Sequence, residues 1–189
     1  DPVLPFAHLP HPPSLLSQYQ EGQEYVGLPG ILAATDGSVC KETDSMGAGV
    51  AFCPLSLAAL GSLGDELQDC CASVGGPPSS LRAEAAALYL LLLETPPFCQ
   101  LTVLMDSLGL LQTLQRWGRL DFSPRPEVQK HLDIICPILE SLAARSETTT
   151  FVKVKSHSGV PLNEAADVLA DRGTESPEFM CEYDLQGAK

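Results

Sequence analysis

The order in which strand-like and helix-like segments follow one another constrains this chain most. Three short segments rich in small and β-branched residues come first, within residues 30–74, and connections of hairpin length join them. Helical and strand-like segments then alternate, which gives the order β-β-β-α-β-α-α-β-α. Three sequential strands suggest an antiparallel meander. The sequence therefore predicts an α/β domain that starts with this meander.

Turn residues and prolines bound the expected elements. The strands are predicted at residues 31–38, at Met46–Pro54, and at about 63–74, 100–107 and 148–156. The helices are predicted at residues 81–94 after a Ser79 or Ser80 cap, and at about 108–117, 127–145 and 163–172. Pro137 lies inside the third helical segment and is expected to kink it, because proline cannot donate the main-chain hydrogen bond that a helix requires.

One domain with two extensions is expected from a chain of 189 residues. Residues 1–29 are rich in proline and predict an extended linker. The folded domain is predicted at residues 30–173, and residues 174–189 form an acidic tail.

Composition narrows the class of protein. Apolar residues make up 44% of the chain, enough for a core, but no uninterrupted apolar stretch is long enough to span a membrane, and no signal peptide is legible. The seven cysteines are an odd number and include no C-x-x-C pair, so their spacing suggests neither a disulfide framework nor a zinc site. We therefore expect an intracellular protein in a reducing compartment.

Charge argues against a protein that binds nucleic acid by bulk electrostatics. Twenty-four acidic and eleven basic residues give a net charge of -13. Eight of the eleven basic residues nevertheless fall within residues 116–172, where they balance eight acidic ones. Any basic surface is therefore expected from that segment.

Three acidic residues stand in otherwise apolar surroundings. Asp36 and Asp106 each end an apolar strand, and Glu84 lies near the start of an apolar helix. A buried carboxylate costs several kcal/mol unless a positive charge offsets it, and ligands of α/β proteins bind at the carboxyl ends of strands. With few basic residues nearby in sequence, these acids indicate a divalent cation that prefers oxygen ligands, such as Mg²⁺.

Each acid also has an ordinary structural explanation. Asp36 in TDGS is a typical turn residue, Glu84 suits a helix N-terminus, and Asp106 can cap the following helix. Their combination with the C-terminal segment VKVKSHSGVPLNEAADVLAD favours function, because His157 precedes a Ser-Gly-Val-Pro loop there and Asp167 follows in a helix.

Taken together, these four blocks resemble the type 1 ribonuclease H domain, in particular the version attached to reverse transcriptases of non-LTR retrotransposons. The blocks are TDGS at residues 35–38, AE at 83–84, MDS at 105–107 and SHSGVPLNEAADVLAD at 156–171. The resemblance covers about residues 30–173. It implies a five-stranded mixed sheet flanked by helices, with the first three strands antiparallel and the strands of Asp36 and Asp106 parallel neighbours.

The resemblance also implies a two-metal site. It assigns Asp36 to both of two Mg²⁺ ions, for which Mn²⁺ can substitute. Asp167 would complete the site of the ion that activates water, and Glu84 with Asp106 would hold the ion that faces the leaving group. This arrangement agrees with the physics of two-metal hydrolysis. His157 would assist proton transfer or product release, although a solvent-exposed loop histidine is its simplest structural reading.

The implied substrate is the RNA strand of an RNA/DNA hybrid, read by shape and 2′-hydroxyls. Gly37, Ser38 and Ser107 would lie beside the scissile phosphate, with Asn163 as a nearby hydrogen-bond donor. The basic helix that many members use to grip DNA is reduced here to GRLDFSPRP, with Arg119 and Arg125. We therefore expect an attached or associated polymerase to supply part of the affinity for the nucleic-acid substrate.

Two alternatives stay open at this point. One is a catalytically silent scaffold or binding module, which the low basic content favours and the four retained carboxylates disfavour. The other is a different metal nuclease of the same fold that cuts DNA, which the SHSGVPLNEAADVLAD block disfavours. The segment between Asp36 and Glu84 is somewhat long for the family, and nothing in the sequence accounts for it.

Overall fold

The computed structural model describes residues 30–54, 67–117 and 125–175. Five strands and five helices lie in these ranges. The strands are β1 (Gly30–Val39), β2 (Met46–Pro54), β3 (Gln68–Val74), β4 (Gln100–Met105) and β5 (Thr149–Lys153). The helices are α1 (Ser80–Glu94), α2 (Leu108–Trp117), α3 (Pro126–Gln129), α4 (Leu132–Ala144) and α5 (Pro161–Glu175).

The strands form one mixed sheet in the order β3-β2-β1-β4-β5. β1, β2 and β3 pair antiparallel, while β4 pairs parallel with both β1 and β5. The predicted fold class is thus confirmed, including the parallel pairing of β1, which contains Asp36, with β4, which ends just before Asp106.

Two apolar cores flank the sheet. On one face, α1 packs against β1 and β2, and α4 packs against α1. On the other face, α5 packs against β1, β2 and β3. Helix α1 is buried over most of its surface, which explains its almost continuous run of alanine and leucine.

Several predicted boundaries differ from the observed ones. The predicted 127–145 helix is two helices, interrupted at Lys130 and His131, and α4 runs through Pro137. β4 and β5 end sooner than predicted, and α5 extends beyond residues 163–172 at both ends. The first part of the predicted 63–74 strand, Arg119 and the predicted linker 1–29 lie outside the described residues. Of the predicted tail 174–189, residues 174 and 175 belong to α5, and residues 176–189 lie outside the described residues.

β1 is longer than its sequence predicts. The Asp-Gly-Ser signal predicts a turn, but Asp36, Gly37 and Ser38 pair with β2, and the turn follows at Cys40–Ser45. Opposite Asp36, β2 presents Gly49. The pairing to β2 therefore carries β1 past its turn-forming residues.

An ion pair joins α1 to the start of α4. Arg82, only 2% exposed, donates two hydrogen bonds to the Asp133 carboxylate, at 2.8 and 2.7 Å, and a third to the carbonyl of Gly75. Asp133 lies in the first turn of α4, where a negative charge suits the helix dipole. The Arg82 side chain hydrogen bond to Asp133 holds the pKa of that carboxyl below its usual range. This pair fixes the N-terminal turn of α1 against its neighbours.

We expect Asp133→Ala to destabilise the fold, because it leaves the Arg82 guanidinium buried without its counter-charge. Breaking a buried pair costs about 3–5 kcal/mol, and since the Asp133 side chain is 44% exposed we expect the lower end of that range. Urea unfolding measures the change in free energy. Glu140→Ala, at an exposed position of the same helix, is the matched control. Equal stability of the two variants would contradict the prediction.

Candidate metal and nucleic-acid site

Four carboxylates that are distant from one another in sequence line one cleft of about 480 Å³. Asp36, Glu84, Asp106 and Asp167 all line it, so the structure brings the four predicted acids together. His157, Gly37, Ser107 and Asn163 also line the cleft. Ser38 is the exception among the predicted site residues, since the cleft lining does not include it and its hydroxyl donates a hydrogen bond of 2.7 Å to Asp171.

The parallel pairing of β1 and β4 positions the two aspartates. Ala34 pairs with Leu104, so Asp36 and Asp106 lie two residues further along neighbouring chains. β4 ends at Met105, whereas β1 continues to Val39. On the side of β1 that faces β4, no strand of the described residues therefore lies beside Asp36, and this opening forms part of the cleft.

The close approach of α1 to β1 positions Glu84. A Cβ atom at Gly37 would collide with the backbone of Ala83 and Glu84. Only glycine allows this distance between strand and helix. The glycine of the TDGS block thus brings the Glu84 backbone against the strand that carries Asp36.

A second backbone contact positions Asp167. Gly49 in β2 lies against the backbone of Ala166, Leu169 and Ala170 in α5, so that a Cβ atom would collide there too. Asp167 directly follows Ala166, and Gly49 pairs with Asp36 across the β1–β2 ladder. The helix carrying Asp167 is therefore held against the strand next to Asp36 by contacts between main chains.

Burial and neighbouring negative charges raise the pKa values of two of the four carboxylates. Asp36, Glu84 and Asp106 have carboxylate oxygens within 4.8 Å of one another. Burial, followed by the charges of Asp36 and Asp106, raises the pKa of Glu84 to about 9. Burial, followed by the charge of Asp106, raises the pKa of Asp36 to about 7. Clustered buried acids of this kind are unfavourable without a cation.

The donor set fits a hard divalent cation. Glu84 Oε2 is buried and has no hydrogen-bond partner among the described residues. Unpartnered buried oxygens cost free energy, and an oxygen-ligated ion such as Mg²⁺ would remove that cost. The other two carboxylates are partly oriented by hydrogen bonds, from the Gly37 N–H to Asp36 Oδ1 at 2.9 Å and from the Ser156 hydroxyl to Asp106 Oδ2 at 2.6 Å.

His157 lies on an exposed turn at the rim of the cleft. Its φ of 54° and the φ of 82° at Gly159 are both in the left-handed region. The Ser158 hydroxyl donates to the Lys155 carbonyl at 2.6 Å, which closes the turn. The exposed imidazole therefore faces the same cleft as the carboxylates from a loop outside the sheet.

Sequence reasoning missed three polar residues of this region. Glu164 lines the cleft and lies with His157 and Asp167 in a second cluster of possible ligand atoms. Its spacing of three residues before Asp167 places both on one helix face, a signal that was available in the sequence. Ser156 orients Asp106, and Asp171 accepts from Ser38; no sequence pattern distinguishes these two from ordinary surface residues.

Comparison with known families agrees with this geometry. The model of the family described as RNase H matches residues 30–175, which is most of the chain. The chain belongs to the RNase H family. No curated protein matches it significantly. Among the described residues of this RNase H domain, no helix combines the length and the apolar character needed to cross a membrane.

The metal-free RNase H domain should lose stability as the pH rises from about 7 to about 9. Glu84 has a higher pKa in the folded state than in the unfolded chain, so the folded state binds more protons in this range and the free energy of unfolding falls with pH. The slope contributed by one group is at most about 1.4 kcal/mol per pH unit. Thermal unfolding with a chelator, and then with Mg²⁺, measures it.

Glu84→Gln is the control for this pH dependence, because its side-chain amide does not titrate. Cysteines with raised pKa values remain in both proteins, so they do not account for a difference between the two. We expect the variant to show a shallower fall. Mg²⁺ should flatten the dependence in the wild type, because a bound cation favours the ionised carboxylates. The same slope in both proteins without metal would contradict the assigned cause.

Proposed function

We propose that this RNase H domain is an endoribonuclease that hydrolyses the RNA strand of RNA/DNA hybrids. The observation that carries the proposal is the convergence of Asp36, Glu84, Asp106 and Asp167 on one cleft, in a chain that belongs to the RNase H family. The buried Glu84 Oε2 atom, which has no hydrogen-bond partner in the part of the chain that the structure describes, supports a requirement for metal.

Two Mg²⁺ ions are the proposed cofactors, with Mn²⁺ as a substitute. Glu84 and Asp106 would hold one, Asp167 the other, and Asp36 would contribute to both. Two bound divalent cations supply charge stabilisation to the attacking and leaving oxygens of an in-line displacement. The proximity of the Asp36, Glu84 and Asp106 carboxylates, and the interaction of Asp36 with Asp167, support this division of ligands.

The remaining groups of the cleft orient substrate and move protons. An imidazole nitrogen of His157 would transfer a proton at the reacting phosphate or assist departure of the product, and its exposed turn leaves it room to approach and withdraw. Gly37 and Ser107 would lie beside the scissile phosphate, and Asn163 would contact it through its amide. Ser38 would reach the substrate only after exchanging its hydrogen bond with Asp171.

A second groove supports a two-stranded substrate. It has a volume of about 270 Å³ and shares Leu81 and Gly109 with the cleft, so the two are adjoining. Arg116 and Arg125 line it, together with Gln112, Thr113 and the acidic Glu127. Guanidinium groups suit phosphate oxygens, whereas the Thr113 hydroxyl already donates a hydrogen bond of 2.8 Å to the Gly109 carbonyl. We propose that the RNA strand occupies the cleft while the DNA strand follows this groove.

The small number of basic side chains favours a domain that acts within a larger assembly. Within the groove, Arg116 and Arg125 are the cationic residues in its lining, and the whole chain has a net charge of -13. Long-range attraction to nucleic acid is therefore weak. We propose that an attached or associated polymerase, as in a reverse transcriptase polyprotein, supplies the missing affinity.

Binding of hybrid to the isolated chain should depend only weakly on salt. Each phosphate neutralised contributes roughly 0.9 to the magnitude of the slope of log affinity against log salt, so two arginines predict a slope of about -2. Fluorescence anisotropy with a labelled hybrid at several salt concentrations, in Ca²⁺ or chelator, measures it. A slope more negative than about -6 would reveal a basic surface that these residues do not account for.

Cleavage of a labelled RNA/DNA hybrid with Mg²⁺ tests the proposed function directly. Duplex DNA and duplex RNA of the same sequence serve as parallel substrates. We expect internal cuts in the RNA strand of the hybrid alone. Cleavage of duplex DNA would favour the DNA nuclease alternative, and hybrid binding without any cleavage would favour the silent scaffold.

A further inference from the structure

We propose that an exposed aromatic side chain, Phe98, is the docking point for the end of this chain's own N-terminal segment, residues 25–28. Phe98 is 67% exposed, and it lies in the connection between α1 and β4, residues 95–99, which is here called the Phe98 loop. Pro96 and Pro97 are exposed beside it. Three consecutive exposed apolar residues form a continuous patch, which calls for a partner more than a single exposed side chain does.

Hydrogen bonds hold the Phe98 loop in one shape. The Arg145 guanidinium donates to the carbonyls of Pro96, at 2.8 Å, and Cys99, at 3.0 Å. The Ser146 N–H donates to the Pro97 carbonyl at 3.0 Å, and the Cys99 N–H donates to the Pro96 carbonyl at 3.3 Å. A loop that is ordered beforehand loses little conformational entropy when it binds, and an aromatic ring presented in this way suits a contact surface.

The pairing of β1 with β4 brings the N-terminal segment to this loop. Residues 1–29 lie outside the described residues and join the sheet at Gly30, which pairs with Gln100, two residues after Phe98. Paired strands lie about 4.8 Å apart and successive Cα atoms about 3.8 Å apart, so the Cα atoms of Gly30 and Phe98 are within about 12 Å. Four extended residues span about 13 Å. Residues 25–28 can therefore reach the aromatic ring.

The sequence just before Gly30 has the chemistry that this contact needs. Tyr25, Val26 and Leu28 follow the mostly polar stretch SQYQEGQE at residues 17–24. Pro29 favours an extended conformation for the residue before it, Leu28, which lowers the entropy lost on docking. Contact between these apolar side chains and the ring removes apolar surface of both from water.

Covalent attachment favours this occupant over a separate molecule. A short linker keeps a tethered segment at an effective concentration of roughly millimolar, whereas a second copy of the chain or another protein has to reach that concentration in solution. A patch of three exposed apolar residues is small for a stable interface between separate chains. A tethered segment does not need so large a contact area.

Docking at Phe98 determines where the N-terminal segment meets the domain. The Phe98 loop precedes the start of β4, whereas the carboxylate cleft lies beyond the end of that strand, next to Asp106. Six residues of β1 separate Gly30 from Asp36, a length of about 20 Å. A segment docked at Phe98 is therefore held at the opposite end of the sheet and leaves the cleft open. This contact does not depend on whether the chain cleaves RNA.

A double-mutant cycle in the full 189-residue chain tests the contact. One variant is Phe98→Ala, and the other, the docking-segment variant, combines Tyr25→Ser, Val26→Ser and Leu28→Ser. Urea unfolding gives the equilibrium constant for unfolding of each variant and of the two combined. We expect each variant alone to raise this constant. Because both remove the same contact, the combined effect should fall short of the product of the two by at least about 2-fold.

The matched control combines Leu15→Ser, Leu16→Ser and Tyr19→Ser. It replaces one tyrosine and two aliphatic residues in the same N-terminal segment, further from Gly30 in sequence. We expect its effect and that of Phe98→Ala to multiply without coupling. Coupling of equal size for the control and for the docking-segment variant would overturn the assignment to residues 25–28, and so would the absence of coupling for both.

NMR of the wild-type chain observes the contact directly. We expect nuclear Overhauser effects between the Phe98 ring and the side chains of Val26 and Leu28, and a ring-current shift of their methyl signals that Phe98→Ala removes. Methyl signals at unfolded-chain positions would overturn the proposal. Sedimentation distinguishes the other occupants: a wild-type dimer that Phe98→Ala dissociates would assign the ring to a second copy. A monomer without these contacts would leave the surface to a separate protein, and both results would refute docking of residues 25–28.

Discussion

Asp36→Asn should reduce Mg²⁺-dependent cleavage of an RNA/DNA hybrid to background while the domain stays folded. Asp36 is 5% exposed, its carboxylate lies within 4.8 Å of those of Glu84 and Asp106, and it also interacts with Asp167. It is therefore the proposed ligand common to both cations. An amide binds divalent cations less well and cannot balance their charge. Single-turnover cleavage of a labelled hybrid, with circular dichroism as the fold measurement, checks the result.

Asp44→Asn is the matched control for this substitution. It makes the same chemical change in the exposed turn between β1 and β2, where a φ of 56° is readily adopted by asparagine. We expect this variant to cut at the wild-type rate. Wild-type cleavage by Asp36→Asn would show that Asp36 is not a required ligand. Loss of folding would instead be visible in the spectrum.

His157→Ala should slow cleavage by about a hundred- to ten-thousand-fold and leave measurable activity. The imidazole lies at the rim of the cleft on an exposed turn, where it can assist proton transfer. The Mg²⁺ concentration that gives half-maximal activity should not change, because the proposed protein ligands are oxygen atoms of the four carboxylates and do not include the imidazole. Activity against Mg²⁺ concentration, with calorimetry of Mg²⁺ binding, measures both quantities.

Two results would contradict this assignment of His157. A strongly weakened Mg²⁺ affinity would make the histidine a Mg²⁺ ligand, and an unchanged rate would make it an ordinary loop residue. Ser158→Ala is a useful control, because it removes the hydrogen bond to the Lys155 carbonyl in the same turn and keeps the imidazole. A rate loss equal to that of His157→Ala would attribute the effect to loop shape.

The sequence predicted the sheet and the four carboxylates because their signals are local. Apolar strands and helix caps depend on neighbouring residues, and Ser79 does cap α1 as expected. The family resemblance added the pairing of β1 with β4, which no local pattern contains. The element order and this resemblance together placed the four acids at one edge of the sheet, although Asp36 lies inside β1 and Asp167 inside α5 rather than at their ends.

Features that depend on distant contacts could not be predicted in the same way. Arg82 and Asp133 are 51 residues apart in sequence, and nothing near either identifies its partner. The interruption at Lys130 and His131 likewise has no glycine or proline to mark it, and Pro137, which does carry such a signal, lies inside a continuous helix. In each case, tertiary contacts outweigh local preference.

The close contact between the main chains of β2 and α5 limits which amino-acid substitutions this chain can accept. Gly47, Gly49 and Gly173 leave no space for a side-chain carbon between the strand and the helix. No rotamer change can absorb an added methyl group there, so it must displace the helix and Asp167 relative to Asp36. Mutational drift can alter the outer faces of α5 with little effect on its spacing from the sheet. These three glycines, none of which lines the cleft, thereby determine how accurately Asp167 is placed relative to Asp36.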